Sequence, residues 1–203
     1  MTAARDPNAG RVILLDVMGT LVYDPFYREI PAFFGMSLEQ LITEKDPHAW
    51  LYFEKGQIDE AELLRDFFAD RRPFDHEGLK ECMRSAFEWL DGMRELVAGL
   101  AAAGHELHAL SNYAPWYSWI EEKLGLSEYL RWSFVSCDTG LRKPDPKAFT
   151  GAAAALGVPP AECLFVDDRR GNVEAADAVG MNAVLFQSAD QLALELKRRG
   201  ILG

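Results

Sequence analysis

The chain contains 203 residues, of which 49% are hydrophobic, and its formal net charge is -11. A chain of this size and composition buries a substantial core as one domain, with room for a modest insertion. The acidic balance argues against nucleic acid and anionic membrane as partners, because both require clustered lysine and arginine. No uninterrupted apolar stretch reaches the roughly 20 residues that span a bilayer. We therefore expect a globular protein whose partner is a small molecule.

The cysteines and the first residues bear on the cellular compartment. Cys82, Cys137 and Cys163 are widely spaced and form no CxxC pair, so they predict neither a disulfide framework nor a thiolate metal site. The opening sequence MTAARDPNAGR lacks the apolar run of a signal peptide. These features favour a cytoplasmic protein. The oligomeric state stays open between a monomer and a homodimer.

Short β-rich runs alternate with helical stretches along most of the chain. The first run, RVILLDV, is continuously apolar, which is typical of a strand buried on both faces of a parallel sheet. Four more follow it: HELHALSNY (105–113), WSFVSCDTG (132–140), CLFVDD (163–168) and NAVLFQ (182–187). Amphipathic helices separate these runs, and the last helix opens on a Ser188 cap. The alternation predicts βαβ units and an α/β fold with an open parallel sheet.

The region from Tyr23 to Trp89 interrupts this alternation. Its segments have helical periodicity and none is a convincing strand: PFYREIPAFFG, SLEQLITEKD, AWLYFEKG, DEAELLRDFFADRR and HEGLKECMRSAFEWL. We predict an all-helical insertion between the first and second strands. The predicted domains are a core of residues 1–22 and 90–203 and a cap of residues 23–89.

Polar side chains stand at or just beyond the carboxyl ends of four predicted strands. They are Asp16, Ser111 with Asn112, Lys143, and Asp167 with Asp168. In an open parallel α/β sheet, ligands bind outside the carboxyl ends of the strands. The fold therefore brings a nucleophile, a hydroxyl donor, a cation and an acidic pair to one edge. This set predicts a phosphate site with a metal.

Asp16 is the predicted nucleophile. A carboxylate can attack phosphorus to form an aspartyl-phosphate, which divides a difficult displacement into two easier steps. Mg²⁺ prefers oxygen ligands and needs only one or two carboxylates besides water and substrate phosphate. Asp16 together with Asp167 or Asp168 meets that requirement, and the backbone carbonyl of Met18 is available to complete the shell.

The negative charge of the transferring oxygens requires fixed hydrogen-bond donors. Lys143 and the Ser111 hydroxyl are the predicted catalytic donors. Backbone N–H groups around Gly19, Thr20 and Asn112 are predicted to bind the substrate.

Four motifs, DVMGT, LSNY, RKPDP and FVDDRRGNVEAA, occur in this order along the chain. Together they resemble motifs one to four of the haloacid dehalogenase superfamily, and the resemblance covers nearly the whole chain. It implies a doubly wound, Rossmann-like core with an inserted helical cap of the first type, at residues 23–89.

Longer segments resemble one branch of that superfamily, the plant chloroplast flavin mononucleotide hydrolases. The segments are DVMGTLVYDPFY, PAFFGM, FEKGQIDE, LKECMRS and RKPDP. The resemblance implies an Mg²⁺-dependent phosphatase that hydrolyses a small phosphomonoester, with flavin mononucleotide (FMN) as one candidate.

Met18 departs from the superfamily's phosphatases, in which the residue two after the nucleophile is usually an Asp that acts as general acid and base. A thioether cannot titrate, and positioned proton transfer typically contributes about 10² to 10⁴ in rate. Three explanations stay open. Another group supplies the proton, with Tyr23, Asp24, Tyr27 and His48 as candidates; the leaving group needs no proton; or the protein is a low-turnover, ligand-binding homologue.

The 2-haloacid dehalogenases of the superfamily are the alternative function, because they also lack the second Asp. Their motif four lacks the metal-binding acidic pair, since a carboxylate substrate needs no divalent cation. The pair Asp167 and Asp168 therefore favours phosphoryl chemistry.

Side chains near these motifs have plainer interpretations. Arg142 is expected to be a bystander beside Lys143, and Asn172 is either a helix residue or an ordering group. Most of the aromatic residues are expected to pack the cap, although each has the flat surface that stacks on a ring. They are Phe26, Tyr27, Phe33, Phe34, Trp50, Phe53, Trp116 and Trp119.

Overall fold

Five parallel strands form the sheet in residues 11–203, the residues that this computed structural model describes. The strands are β1 Val12–Leu15, β2 Glu106–Ser111, β3 Arg131–Val135, β4 Cys163–Asp167 and β5 Asn182–Leu185. Their order across the sheet is β3-β2-β1-β4-β5. Residues 1–10, which include the start of the predicted core and most of the segment judged for a signal peptide, lie outside the described residues.

The central strands β1 and β4 are buried at every residue, as their continuous apolar sequences predicted. Leu15 pairs with Ala109 of β2 and with Val166 of β4. The Asp16 amide donates to the Val166 carbonyl at 2.9 Å. This register brings Asp16 and Asp167 side by side at the carboxyl edge of the sheet.

Helices cover both faces of the sheet. They are α1 Glu29–Phe33, α2 Leu38–Glu44, α3 Ala49–Glu54, α4 Glu60–Arg65, α5 His76–Ala86, α6 Met93–Ala102, α7 Tyr117–Leu124, α8 Ser136–Thr139, α9 Pro146–Ala155, α10 Arg170–Ala178 and α11 Ala189–Arg198. On one face Val97 of α6, Ile120 of α7 and Leu192 of α11 join the larger hydrophobic core. On the other face Phe149 of α9 and Ala176 of α10 join a second core. This arrangement confirms the predicted doubly wound α/β fold.

Residues 23–89, called the cap here, contain α1 to α5 and one β-bridge between Lys45 and Phe68. Helix α2 begins with a capping box formed by Ser37 and Gln40. The larger hydrophobic core continues from the sheet into these helices. The helical content matches the expectation, and the division into two domains stays a prediction.

Strand β3 is shorter than the run WSFVSCDTG predicted. It ends at Val135, and Ser136–Thr139 form α8 instead. The Ser136 hydroxyl donates to the Glu54 carbonyl at 2.5 Å and accepts from the Tyr113 amide at 3.0 Å. Because this hydroxyl is bound to the backbone of two neighbouring segments, the chain turns here instead of extending.

The last helix, α11, begins where the sequence predicted. The Ser188 hydroxyl accepts from the Gln191 amide at 3.2 Å, which confirms the Ser188 cap. Across residues 11–203, no helix combines the length and the apolar character needed to cross a membrane.

Candidate active site

The carboxylate of Asp16 follows β1 and contacts a buried lysine. Lys143 Nζ lies 2.7 Å from Asp16 Oδ1 and 2.6 Å from Asp167 Oδ2. Lys143 is only 1% exposed, and a buried ammonium is tolerated only where it is paired and hydrogen-bonded. The two carboxylates provide that pairing. Three predicted site residues from distant parts of the chain therefore meet at one point.

The backbone of Lys143 is held by Asn112, which follows β2. The Asn112 side chain donates to the Lys143 carbonyl at 2.8 Å and accepts from the Lys143 amide at 2.8 Å. This pair of bonds ties the end of β2 to the loop that carries Lys143. The side chain of Asn112 thus positions the lysine, and substrate binding by the Asn112 backbone N–H stays a prediction.

The two acids after β4 have different surroundings. Asp167 is fully buried and accepts hydrogen bonds from Lys143, from the Arg169 amide at 2.8 Å and from Asn172 Nδ2 at 3.0 and 2.9 Å. Asp168 is exposed, and its backbone amide donates to Thr20 Oγ1 at 3.2 Å. Asn172 therefore orders Asp167, while Asp168 remains exposed.

The donor set fits a hard divalent cation. Carboxylate oxygens of Asp16, Asp167 and Asp168 lie within 4.8 Å of one another, and Mg²⁺ selects oxygen ligands. Burial raises the pKa of the Asp16 carboxyl to about 7, although the positive charge of Lys143 lowers it. The negative charges of Asp167 and Asp168 add to the rise. A cation placed among these oxygens would relieve that repulsion. Met18, whose backbone carbonyl is the fourth predicted ligand, follows Asp16 by two residues.

The remaining predicted donors surround Asp16. The Ser111 hydroxyl is buried and has no hydrogen-bond partner within residues 11–203. Thr20 Oγ1 donates to Asp16 Oδ2 at 3.4 Å. The Gly19 amide donates to the Val22 carbonyl at 2.8 Å, so this conformation uses that N–H within the turn. The Ser111 hydroxyl is therefore available to donate to a substrate oxygen.

A cavity of about 420 Å³ lies between the cap and the carboxyl edge of the sheet. Met18 lines it together with aromatic side chains that include Phe26, Trp50, Phe67 and Tyr113. The Tyr113 hydroxyl is buried without a hydrogen-bond partner in the described part of the chain. Burial raises the pKa of this phenol well above its ordinary value. The cavity is therefore a mainly apolar space with an unpaired hydroxyl in its wall.

Charged side chains line the same cavity at the junction of cap and sheet. They are Asp24, Lys45, Glu54, Arg142 and Arg169. Arg142 Nε donates to Glu54 Oε2 at 2.8 Å, and Trp50 Nε1 donates to Glu54 Oε1 at 2.6 Å. This pairing joins the cap to the loop that carries Lys143.

Sequence reasoning missed Glu54 and took Arg142 for a bystander. The only signal at Glu54 was an acid at the end of a helical segment, which is typical of many solvated helix ends. Its partner lies 88 residues further along the chain, so no local pattern joins the two.

Comparison with known proteins identifies the family. A family model described as haloacid dehalogenase-like hydrolase matches residues 11–180. The chain belongs to the haloacid dehalogenase-like hydrolase family. It is therefore a hydrolase, and the family resemblance of its four motifs is confirmed.

Relatives support this membership in the haloacid dehalogenase-like family. The chain is 54% identical over 190 residues to flavin mononucleotide hydrolase 1 of Arabidopsis thaliana. The matched residues cover 94% of this chain and 78% of that protein. A family enzyme of Bacteroides thetaiotaomicron, solved as a magnesium complex, has a TM-score of 0.77 at 20% identity over 93% of this chain and 99% of that one. The L-2-haloacid dehalogenase of Xanthobacter autotrophicus has a TM-score of 0.63 at 20% identity, over 93% of this chain and 82% of that one. Both structures share the fold.

Proposed function

We propose that this hydrolase is an Mg²⁺-dependent phosphatase that acts on a small phosphomonoester through an aspartyl-phosphate on Asp16. The observation that carries the proposal is the position of Asp16. Its carboxylate lies 2.7 Å from buried Lys143 and within 4.8 Å of oxygens from Asp167 and Asp168. A nucleophile, a fixed cation and an acidic metal site within one hydrogen-bonded cluster suit phosphoryl transfer.

The residues that would hold Mg²⁺ are Asp16, Asp168 and the backbone carbonyl of Met18. Both oxygens of Asp167 already accept hydrogen bonds, from Lys143, the Arg169 amide and Asn172, so we assign it the role of holding the lysine. When bound, the ion supplies positive charge against the phosphoryl oxygens and the clustered carboxylates.

The reaction runs in two displacements at phosphorus. In the first, an Asp16 oxygen attacks and the ester oxygen leaves with a proton. In the second, water attacks the aspartyl-phosphate, Asp16 is released as a carboxylate, and inorganic phosphate leaves. Lys143 and Ser111 stabilise the charge on the transferring oxygens in both steps.

FMN is the substrate that we propose. The plant relative at 54% identity is named an FMN hydrolase. The cavity of about 420 Å³ falls within the size range of small-molecule sites, roughly 300 to 1,000 Å³. Aromatic side chains such as Trp50 and Tyr113 in its wall provide flat surface for a ring system.

The test measures phosphate release from FMN, a sugar phosphate and phosphoglycolate, with Mg²⁺ or with a chelator. We expect Mg²⁺-dependent release with a preference for FMN. Asp16→Asn should lower kcat by at least about 10³-fold, because it removes the nucleophile. Release of chloride from 2-chloropropionate without metal would support the dehalogenase alternative instead. Tight FMN binding without phosphate release would support the ligand-binding homologue.

A cytoplasmic location also stays a proposal. Cys82 and Cys137 carry free thiols, which supports a reducing compartment. The plant relative, by contrast, is named as a chloroplast protein. For partners, we propose the small phosphorylated substrate and neither nucleic acid nor membrane.

A further inference from the structure

We propose that Asp24 is the general acid and base that Met18 does not supply. In this role Asp24 protonates the leaving-group oxygen and then takes a proton from the hydrolytic water. The inference rests on the proposed phosphatase function and adds a catalytic residue to it.

The other three candidates for the proton donor have different surroundings. The Tyr23 hydroxyl donates to Glu29 at 2.7 Å. Tyr27 also lines the site cavity, but it is 53% exposed and its hydroxyl accepts from Arg169 at 3.3 Å. His48 stacks on Tyr52 and lines a separate cavity on the cap. Of the four, Asp24 alone brings a carboxyl group into the wall of the site cavity.

The path of the chain after the nucleophile brings Asp24 back to the site. Met18 and Val22 form a β-bridge, so the turn between them folds the chain back beside Met18. Asp24 follows two residues later, and both Met18 and Asp24 line the cavity. The charge of Arg169 interacts with both Asp16 and Asp24. Asp24 therefore lies in the wall of the cavity that opens beside Met18, two residues from Asp16, and we assign this cavity to the leaving group.

Asp24 is also the cavity carboxylate with an oxygen left for a substrate. Both Glu54 oxygens are used, one by Arg142 and one by Trp50. Among the described residues, the Asp24 carboxylate accepts one hydrogen bond, from the Phe26 amide to Oδ1 at 3.0 Å. Oδ2 is thus available to carry and transfer a proton.

The charges around Asp24 suit a group that alternates between acid and base. Burial raises the pKa of Asp24, which favours the protonated form. Asp168 and Glu54 add to this rise, while the Phe26 amide and Arg169 oppose it. Arg169 is placed to stabilise the carboxylate that remains after the proton has left.

The proton balance closes over the two steps. As the bond from Asp16 to phosphorus forms, the phosphorus–ester oxygen bond breaks and that oxygen takes the Asp24 proton, so the product leaves as an alcohol. Water then attacks phosphorus and gives one proton to the Asp24 carboxylate. The bond from Asp16 to phosphorus breaks, and both carboxyl groups return to their starting states.

The test is Asp24→Asn, assayed on two esters that differ in the leaving group. The amide keeps an oxygen for the Phe26 N–H but cannot supply a proton. The readout is kcat/KM, which reports only the steps up to transfer of the phosphoryl group to Asp16, because the second displacement is common to both esters. On FMN, whose leaving group is an alkoxide, kcat/KM should fall by about 10² to 10⁴. On p-nitrophenyl phosphate, whose leaving group needs little protonation, the loss should stay below about tenfold.

Asp75→Asn is the matched control, because Asp75 caps α5 by accepting from the Gly78 amide at 2.9 Å. It should leave both activities unchanged. Adding Met18→Asp to Asp24→Asn should restore part of the activity on FMN by returning an acid near the leaving group.

Two results would overturn the assignment: an equal loss of kcat/KM on both esters, or full activity of Asp24→Asn on FMN. The wild-type enzyme provides a test that needs no variant. With a general acid, kcat/KM should depend weakly on leaving-group basicity across a series of esters, and a steep dependence would also overturn the assignment. If wild type hydrolyses neither ester with Mg²⁺, the proposed phosphatase function fails instead.

Discussion

Gly19 lies against the carboxylate of Asp168: a Cβ built on Gly19 would sit 2.7 Å from Asp168 Oδ2. Gly19 also has φ +80°, which side chains rarely adopt. The turn after the nucleophile can therefore pass this close to Asp168, the proposed metal ligand, only because Gly19 has no side chain. We expect this contact to set the position of the Asp168 carboxylate.

Gly19→Ala should therefore damage activity more than stability. The positive φ costs about 1 kcal/mol or more, and the displaced Asp168 should lower Mg²⁺-dependent kcat/KM by at least about tenfold. Gly104→Ala is the control, because Gly104 has φ +83° but no atom within 4 Å of an added Cβ. Urea unfolding should show similar losses for both variants, and only Gly19→Ala should lose activity. Equal activity of the two variants would contradict the role of this contact.

Lys143 offers a second prediction, because two carboxylates depend on its charge. Lys143→Met leaves Asp16 and Asp167 facing each other without a cation. Removing one partner of a buried pair costs about 3 to 5 kcal/mol, and loss of a charge-stabilising donor lowers kcat by about 10² to 10³. Denaturant unfolding at neutral pH and phosphate release measure the two effects. The exposed Lys147 gives the control Lys147→Met, which should change neither.

The sequence predicted the parts of the site that lie on strands. β1 and β4 are continuously apolar, and their parallel pairing places Asp16 beside Asp167 once the register is set. The residue that follows a parallel strand lies at the carboxyl edge of the sheet, which is where ligands bind. The strand pattern therefore predicted where these acids lie. The predicted strand at WSFVSCDTG was wrong beyond Val135, where a hydroxyl contact with the distant Glu54 carbonyl decides the turn.

The pair of Glu54 and Arg142 in the cavity wall was beyond sequence reasoning for the same physical reason. Glu54 and Arg142 meet across 88 residues, and each looks like an ordinary solvated charge in its own segment. The different roles of Asp167 and Asp168 also could not be predicted without the side-chain geometry. Only the hydrogen bonds from Lys143 and Asn172 distinguish Asp167 from Asp168.

The pH dependence of Mg²⁺ binding follows from Asp16. Burial raises the pKa of its carboxyl to about 7 in the metal-free protein. Below that pH the proton competes with the cation, so Mg²⁺ affinity should rise with pH by up to about tenfold per unit and level off above 7. Calorimetry in buffers of different ionisation enthalpy should show proton release at pH 6 and little at pH 8. Asp16→Asn should abolish the proton release, and release that persists in this variant would assign the titration to another group.

Removing the unpaired hydroxyl of Tyr113 should not lower the stability of the protein, unlike most substitutions in a core. Tyr113 is 5% exposed, and its hydroxyl has no hydrogen-bond partner within residues 11–203. Tyr113→Phe removes an unsatisfied polar group and keeps the ring, so stability should stay equal or rise by up to about 1 kcal/mol. Tyr23→Phe is the comparison, because it breaks a hydrogen bond of 2.7 Å to Glu29 and should lose about 1 kcal/mol. Thermal unfolding of both variants measures the difference, and a clear loss of stability in Tyr113→Phe would mean that the hydroxyl has a partner, such as a buried water.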